Sequence, residues 1–305
     1  MNAVVSTSSP RPKVRSEPSG YLFILPAAVL ITTFSFVAIG VSFWISLRRW
    51  DVLGGLSQYI GLANYRRALF DADSLFRLAL ANTTWYVVMV VPTTLAASLI
   101  LALMARRLRR ASALVKTIYF IPSITPTVII SLVWFQLYDA FRLLTRQWVQ
   151  HGWIGQEINL LGSAATAMPA LALMAVWQSS GYNMVIFLAG LAEVPQEFYD
   201  AAAVDGATRW RQFWHITIPL LRNTLIFVSV MLIIGAFQVF TSVYIMTQGG
   251  PAGATEVMAS LIFHNAFEAT GQTGYACALA WLMFAVVFVF VLIQMRLFRS
   301  RRIYD

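Results

Sequence analysis

The stretch EVPQEFYDAAAVDGATRWRQFWHITIP, residues 193–219, lies between two apolar runs, 168–191 and 224–247. Each run is long enough to cross a bilayer as a helix, so this polar, aromatic segment is the connection between two spans. Pro195 suits a helix start, Glu197 and Asp200 favour the positive N-terminal end, and Ala201, Ala202 and Ala203 propagate the helix. Gly206 is a natural stop. Past it Thr208 can cap a second short helix, in which Trp210, Phe213 and Trp214 form an apolar face, and Pro219 leads into the next span. The segment therefore predicts a helix-turn-helix at the membrane surface. A connection between spans needs only a handful of residues, so an ordered, alanine-rich helix here suggests a surface gripped by a partner. The plainer alternative is an interfacial hairpin that only caps the bundle.

Outward from this loop the chain is dominated by apolar runs. Of 305 residues 59% are hydrophobic and 11% charged, against about a quarter charged in soluble proteins. Six stretches reach the roughly 20 residues needed to span hydrocarbon: 21–47, 80–105, 117–138, 168–191, 224–247 and 275–297. The expected fold is an all-α polytopic membrane protein with six transmembrane helices. Residues 1–20, rich in Ser, Pro and charge, predict a disordered tail. Residues 21–298 form one membrane domain that includes the 193–222 loop, and 299–305 form a basic tail. The first run is too long for a signal peptide and lacks a small-residue cleavage site, so it reads as a retained span. Pro92, Pro122 and Pro126 predict kinks within the second and third spans. Residues 255–270 are amphipathic and predict a helix along the outer interface.

Fifteen Lys and Arg fall on the side that carries both termini and the 193–222 loop, against seven on the other. Basic residues resist translocation, so both termini and the loop are expected in the cytoplasm. The net charge of +9 sits at the ends of apolar segments, in no soluble basic module, which argues against nucleic-acid binding.

Several chemistries are excluded. Only Lys13 and Lys116 exist and neither follows a glycine, so no phosphate loop of the G-x-x-x-x-G-K type occurs. His151, His215 and His264 lie in loops without metal-ligand spacing, and Cys277 is single. No histidine accompanies Ser179 and Ser180 at membrane depth, which disfavours an intramembrane serine hydrolase. Within the expected spans no Asp, Glu, Lys or Arg lies deep, which argues against an ion or proton path. Neutral polar and aromatic residues remain: Trp177, Gln178, Tyr182, Asn183, Gln238 and Tyr244 are the candidates for a solute pathway. Amides and aromatic faces suit hydroxyl-rich solutes; each residue could equally serve interhelical hydrogen bonding.

The loop resembles the cytoplasmic motif of the inner-membrane permease subunits of ABC importers: E-A-A, three residues, G, nine residues, I-x-L-P. Here Asp200, Ala201, Ala202, Gly206, Ile216, Ile218 and Pro219 stand at those spacings, with Asp200 for Glu and Ile218 for Leu. Asp205, Ala207 and Phe213 match the extended form seen in carbohydrate-type importers, and Gly249-Gly250-Pro251 is a further likeness. The resemblance implies the type I importer permease fold, with a coupling helix at 196–205 and ATPase-coupling residues Asp200, Ala201, Ala202, Asp205, Gly206, Ala207, Phe213, Ile216 and Pro219. It implies a second homologous permease, two ATP-binding subunits that hold ATP and Mg, and an extracytoplasmic solute-binding protein. The chain itself would bind no cofactor and catalyse no reaction. The cargo would be a sugar or sugar-like small molecule, with glycerol-3-phosphate or glycerophosphodiesters as the alternative and a non-transport membrane scaffold behind both.

Overall fold

The computed structural model describes residues 19–50, 57–108, 112–269 and 271–297. The tails expected at 1–20 and 299–305 lie outside that set except for Ser19 and Gly20, which already belong to the first helix. That helix, α1, runs over 19–46 with a π segment at Thr32–Val37. A two-stranded antiparallel ribbon, β1 (Arg48–Trp50) and β2 (Ser57–Tyr59), leads into α2 (Ala63–Phe70) and α3 (Phe76–Arg107). Then come α4 (Ser112–Ile124), α5 (Thr127–Gln150) and α6 (Ala164–Ala192). The loop supplies α7 (Gln196–Val204) and α8 (Arg209–Leu220), and the last third supplies α9 (Arg222–Phe237), α10 (Thr241–Met246), α11 (Met258–Phe263) and α12 (Thr273–Leu297).

Among the described residues five helices are long and apolar enough to cross a membrane, or six if α8 and α9 count as one bent span. The bend between those two is 69°. The loop helix is therefore steeply inclined to the span that follows it. The pivot, Leu221, is fully buried.

Two expected spans are discontinuous. The third, placed at 117–138, is broken at Thr125-Pro126 into α4 and α5, and α5 continues to Gln150. Pro126 lacks an amide hydrogen and takes an extended conformation at the N-cap of α5, so the helix restarts there. Pro122 and Pro92 are absorbed: α4 and the 32-residue α3 run through them. The extension of α5 also brings in charge, because Arg142 and Asp139 pair at 2.8 Å on a half-exposed face. The fifth span, placed at 224–247, stops at Phe237; residues 238–240 leave the helix and α10 resumes. The amphipathic segment is shorter than the expected 255–270 and is docked rather than free. α11 and a π turn at His264–Glu268 occupy it, and Met258, Ser260 and Leu261 are buried.

α4 and α5 run antiparallel to α6. The Tyr138 hydroxyl donates to the Ala170 carbonyl at 2.8 Å, and Ser123 Oγ donates to Gln178 O at 2.7 Å. Gly181 permits the contact: a Cβ there would sit 1.7 Å from the Tyr119 carbonyl oxygen. Between membrane helices, close backbone approach over a small residue replaces the hydrophobic drive that water supplies elsewhere.

Among the described residues three apolar clusters stack along the bundle. The central one joins Val87 and Val90 of α3, Ile130 of α5, Leu171 and Met174 of α6, Phe237 of α9 and Val243 of α10. A second, at the loop end, gathers Leu99, Met184, Phe187, Leu191, Leu221 and Val228. The third, at the opposite end, contains Phe76, Met258, Leu261, Tyr275 and Leu279.

Candidate functional site

The 193–219 loop folds by short-range rules. Gly206 takes φ +73°, its N–H donates to Ala203 O at 3.1 Å, and the Ala207 N–H donates to Ala202 O at 2.8 Å. This pair of bonds is a Schellman ending for α7, which requires a left-handed residue where Gly alone carries no Cβ penalty. Two residues later Thr208 Oγ1 accepts from the Arg211 N–H at 3.4 Å and caps α8. The turn between the helices is thereby closed from both sides.

The loop has two faces that differ in burial. No residue of α7 is buried; Asp200, Ala201, Asp205 and Gly206 are exposed, and Val204 is 89% exposed. Phe213, Ile216 and Pro219 are half-buried, and Phe213 and Ile218 pack against the loop-end cluster. Ala202 and Ala207 are likewise half-buried, at the turn. The Tyr199 hydroxyl meets Thr217 Oγ1 at 3.0 Å and ties α7 to α8. The segment thus presents small and acidic residues, with the apolar Phe198 and Val204, outward on a base rooted in the bundle. Trp210, Phe213 and Trp214 form the expected aromatic face, with ring centroids 5.2 to 6.0 Å apart.

The solute-pathway candidates fall into two groups at the two helix breaks. On α6, Trp177 is exposed and faces Trp134 at 5.5 Å, while Tyr182 is exposed and its N–H donates to Ser123 Oγ at 3.1 Å. The Gln178 amide bridges the α4–α5 break, donating to Thr127 Oγ1 at 3.2 Å and lying 3.4 Å from Thr125 O. Asn183 is buried and donates to Ser179 O within its own helix at 2.9 Å. In the second group Gln238 is exposed at the end of α9, and Tyr244 stacks on Phe240 at 5.2 Å. Phe263 closes this cluster, 4.9 Å from Phe240 and 5.5 Å from Tyr244. The sequence reading missed Phe240 and Phe263; the i, i+4 spacing of Phe240 and Tyr244 was the available signal. Unwound backbone within spans is tolerated where it is buried in protein or lines a cavity, and it is where transporters place solute sites.

Beyond α10 the chain turns through Gly249 and Gly250 and is clasped to α3. Asn82 Nδ2 donates to Gly253 O and Glu256 O, both at 2.9 Å, and the Met258 N–H donates to Thr83 Oγ1 at 2.9 Å. Burial raises the Glu256 carboxyl above its ordinary range, with His264 acting the other way, and Glu256 Oε1 is buried without a hydrogen-bond partner among the described residues. A raised value means that the folded chain holds this proton more readily than the unfolded chain. Glu256 therefore costs stability as pH rises through that value, and costs nothing below the ordinary carboxylate range. Glu256→Gln should raise the thermal midpoint at neutral pH, with the difference from wild type vanishing below about pH 4. A pH-independent difference would remove the carboxylate as its cause.

A family model described as binding-protein-dependent transport system inner membrane component matches residues 94–304. The probable ABC transporter permease protein YurN of Bacillus subtilis is 33% identical over 283 residues, covering 92% of this chain and 96% of its own. The trehalose/maltose transport system permease protein MalF of Thermococcus litoralis is 31% identical over 291 residues, 95% of this chain and 97% of its own. Among solved structures, a bacterial ABC transporter that imports the acidic polysaccharide alginate superposes with a TM-score of 0.76 at 20% identity, over 94% of this chain and 96% of that one. The architecture is that of a type I importer permease, with the two-faced loop at one end and broken spans at the centre. The chain belongs to the family of inner-membrane permease components of binding-protein-dependent ABC transport systems.

Proposed function

We propose that this chain forms half of the translocation pathway of an ATP-driven importer for a sugar or sugar-like solute, with the 193–222 loop as the contact through which it is driven. The observation that carries this reading is the division of the loop: an outward α7 of small, acidic and exposed apolar residues on an α8 anchored in the loop-end cluster. Such a helix can seat in a cleft of another protein and pass its displacement to the spans as a rigid unit, because its turn is held by the Gly206 ending and the Thr208 cap. The other half is a second homologous permease. ATP and Mg belong to two ATP-binding subunits at the loop, and an extracytoplasmic binding protein delivers the solute. With the loop toward the ATPases, both termini are cytoplasmic.

In this reading, ATP-driven closure of the ATPase pair brings the two loops together, and the spans exchange access from one side of the membrane to the other. The broken spans supply the solute contacts: the exposed amide of Gln238 offers hydrogen bonds and the Phe240–Tyr244 stack offers an aromatic face. That relatives include a trehalose/maltose permease supports a carbohydrate as cargo.

The test is uptake into proteoliposomes that contain the chain with its partner subunits and enclose ATP. Accumulation of the sugar found on the purified binding protein, dependent on enclosed ATP, is the expected result. Binding without accumulation would contradict the proposal. In the same assay Gln238→Ala and Tyr244→Ala should each lower uptake about tenfold, the order of one lost hydrogen bond or stacking contact, with subunit assembly unchanged. Unchanged kinetics in both would remove these residues from the pathway.

A further inference from the structure

A cavity of about 530 Å³ opens between the end of α3 and the coupling loop. Arg106 and Arg107 enter it from α3, Arg209 enters from the start of α8, and Gln196, Tyr199 and Gln212 complete its polar wall. Its volume falls within the roughly 300–1,000 Å³ of small-molecule sites. Among the described residues, none of these three guanidinium groups has a carboxylate within salt-bridge distance. Asp200 takes the Gln196 amide at 3.2 Å and does not line the cavity. Arg106 lies 5.4 Å over the Tyr199 ring.

Local structure explains only part of this charge. Arg106 and Arg107 close α3, where a cation is favoured by the negative end of the helix. Arg209 stands in the first turn of α8, where the same effect opposes it. Three exposed arginines from two separate elements therefore line one concave space whose wall carries no carboxylate, and their summed charge favours an anion there. Guanidinium forks match phosphate oxygens bidentately, which ammonium or amide groups do not. Trp210 and Trp214 are exposed on α8 of the same loop, and such aromatics belong at the headgroup level of a membrane.

We infer that this cavity is a binding site for a phosphate-bearing anion, either the headgroup of an anionic lipid or a free phosphate, which bridges α3 to the coupling loop. Bridging would hold the loop against the body of the bundle and so bear on how the loop moves; that consequence rests on the function proposed above, whereas the binding itself does not.

The test uses the full chain in nanodiscs of phosphatidylcholine, which expose both faces and need no ATPase. One arm adds phosphatidylglycerol and reads retained lipid by native mass spectrometry; the other titrates inorganic phosphate by calorimetry. Retention of phosphatidylglycerol without phosphate binding identifies the lipid source, and phosphate binding identifies the free anion. Arg106→Gln and Arg209→Gln should each weaken the bound species about tenfold, the usual order for a lost charge-assisted hydrogen bond. Arg209→Lys, which keeps the charge and loses the fork, should fall between, and it serves as the readout should a glutamine variant fail to insert. Absence of both ligands from the wild-type chain, or equal retention in the variants, overturns the proposal. It is also overturned if the glutamine variants lose ATPase co-purification while anion retention is unaffected, since an acidic side chain of the ATPase is then the occupant. Failure of uptake in proteoliposomes with anion retention intact would count against the transport reading and leave this site standing.

Discussion

Replacement of Gly206 by proline should leave the chain inserted and paired with its partner permease, yet reduce uptake by at least tenfold. The position has open space around it, so bulk is not the obstacle. The obstacle is the backbone. Proline is confined to φ near −65° and has no N–H, whereas Gly206 sits at φ +73° and donates to Ala203 O. The Schellman ending of α7 is then lost, and the angle between α7 and α8 with it. Gly206→Ala keeps the N–H and carries only the left-handed penalty of about 1–2 kcal/mol, so it should retain most uptake. Equal activity of the alanine and proline variants would show that the shape of this turn is irrelevant to transport. The loop lies outside the central cluster, so membrane insertion, read by protease protection, should be the same for both.

A larger effect on the fold itself is expected at Gly181. Any side chain at this point of α6 strikes the backbone of α4, with a Cβ 1.7 Å from Tyr119 O and 2.4 Å from Tyr119 C. Backbone cannot rotate aside as a side chain can, so the two helices must separate. Separation also breaks the Ser123 bonds to Gln178 O and the Tyr182 N–H. Overpacking of a tight core costs about 1–3 kcal/mol, and a backbone clash belongs at or above the upper end. Gly181→Val should therefore abolish recovery of monodisperse protein in mild detergent. Gly40→Val in α1, where a Cβ would meet nothing within 4 Å, should be recovered like wild type. Recovery of Gly181→Val at wild-type yield and thermal midpoint would mean that α4 does not approach α6 as described.

These two glycines differ in how far the sequence alone reveals them. Gly206 is legible because a helix ending depends on residues within five positions of each other: Gln196 to Thr208 contain the helix, the stop and the next cap. Gly181 is not, since its requirement comes from Tyr119, far away in sequence. The same division runs through the spans. Apolar length placed α1, α3, α6 and α12 and the start of α9, because hydrocarbon thickness is a one-dimensional constraint. It could not place the breaks. Pro126 gave local notice of the first, but an apolar window passes over it. At 238–240 there is no proline or glycine, and the rings that meet beside the break, Phe240, Tyr244 and Phe263, come together only in the fold. Likewise Arg106, Arg107 and Arg209 read in sequence only as topology signals; the cavity they share is a tertiary fact. The solute-pathway candidates were legible as residue types and not as a site. Burial of Asn183 and the use of Gln178 across the break follow from neighbours that no local pattern names.

The most direct measurement of the central claim is a cross-link from α7. Ala203 is exposed on that helix and small enough to be replaced without disturbing the base of the loop. A photoreactive residue at position 203, activated in intact membranes from cells that express the whole transporter, should capture an ATP-binding subunit. The adduct should change in yield when ATP is supplied with its hydrolysis blocked. Capture of lipid alone, or of an extracytoplasmic protein, would contradict the account.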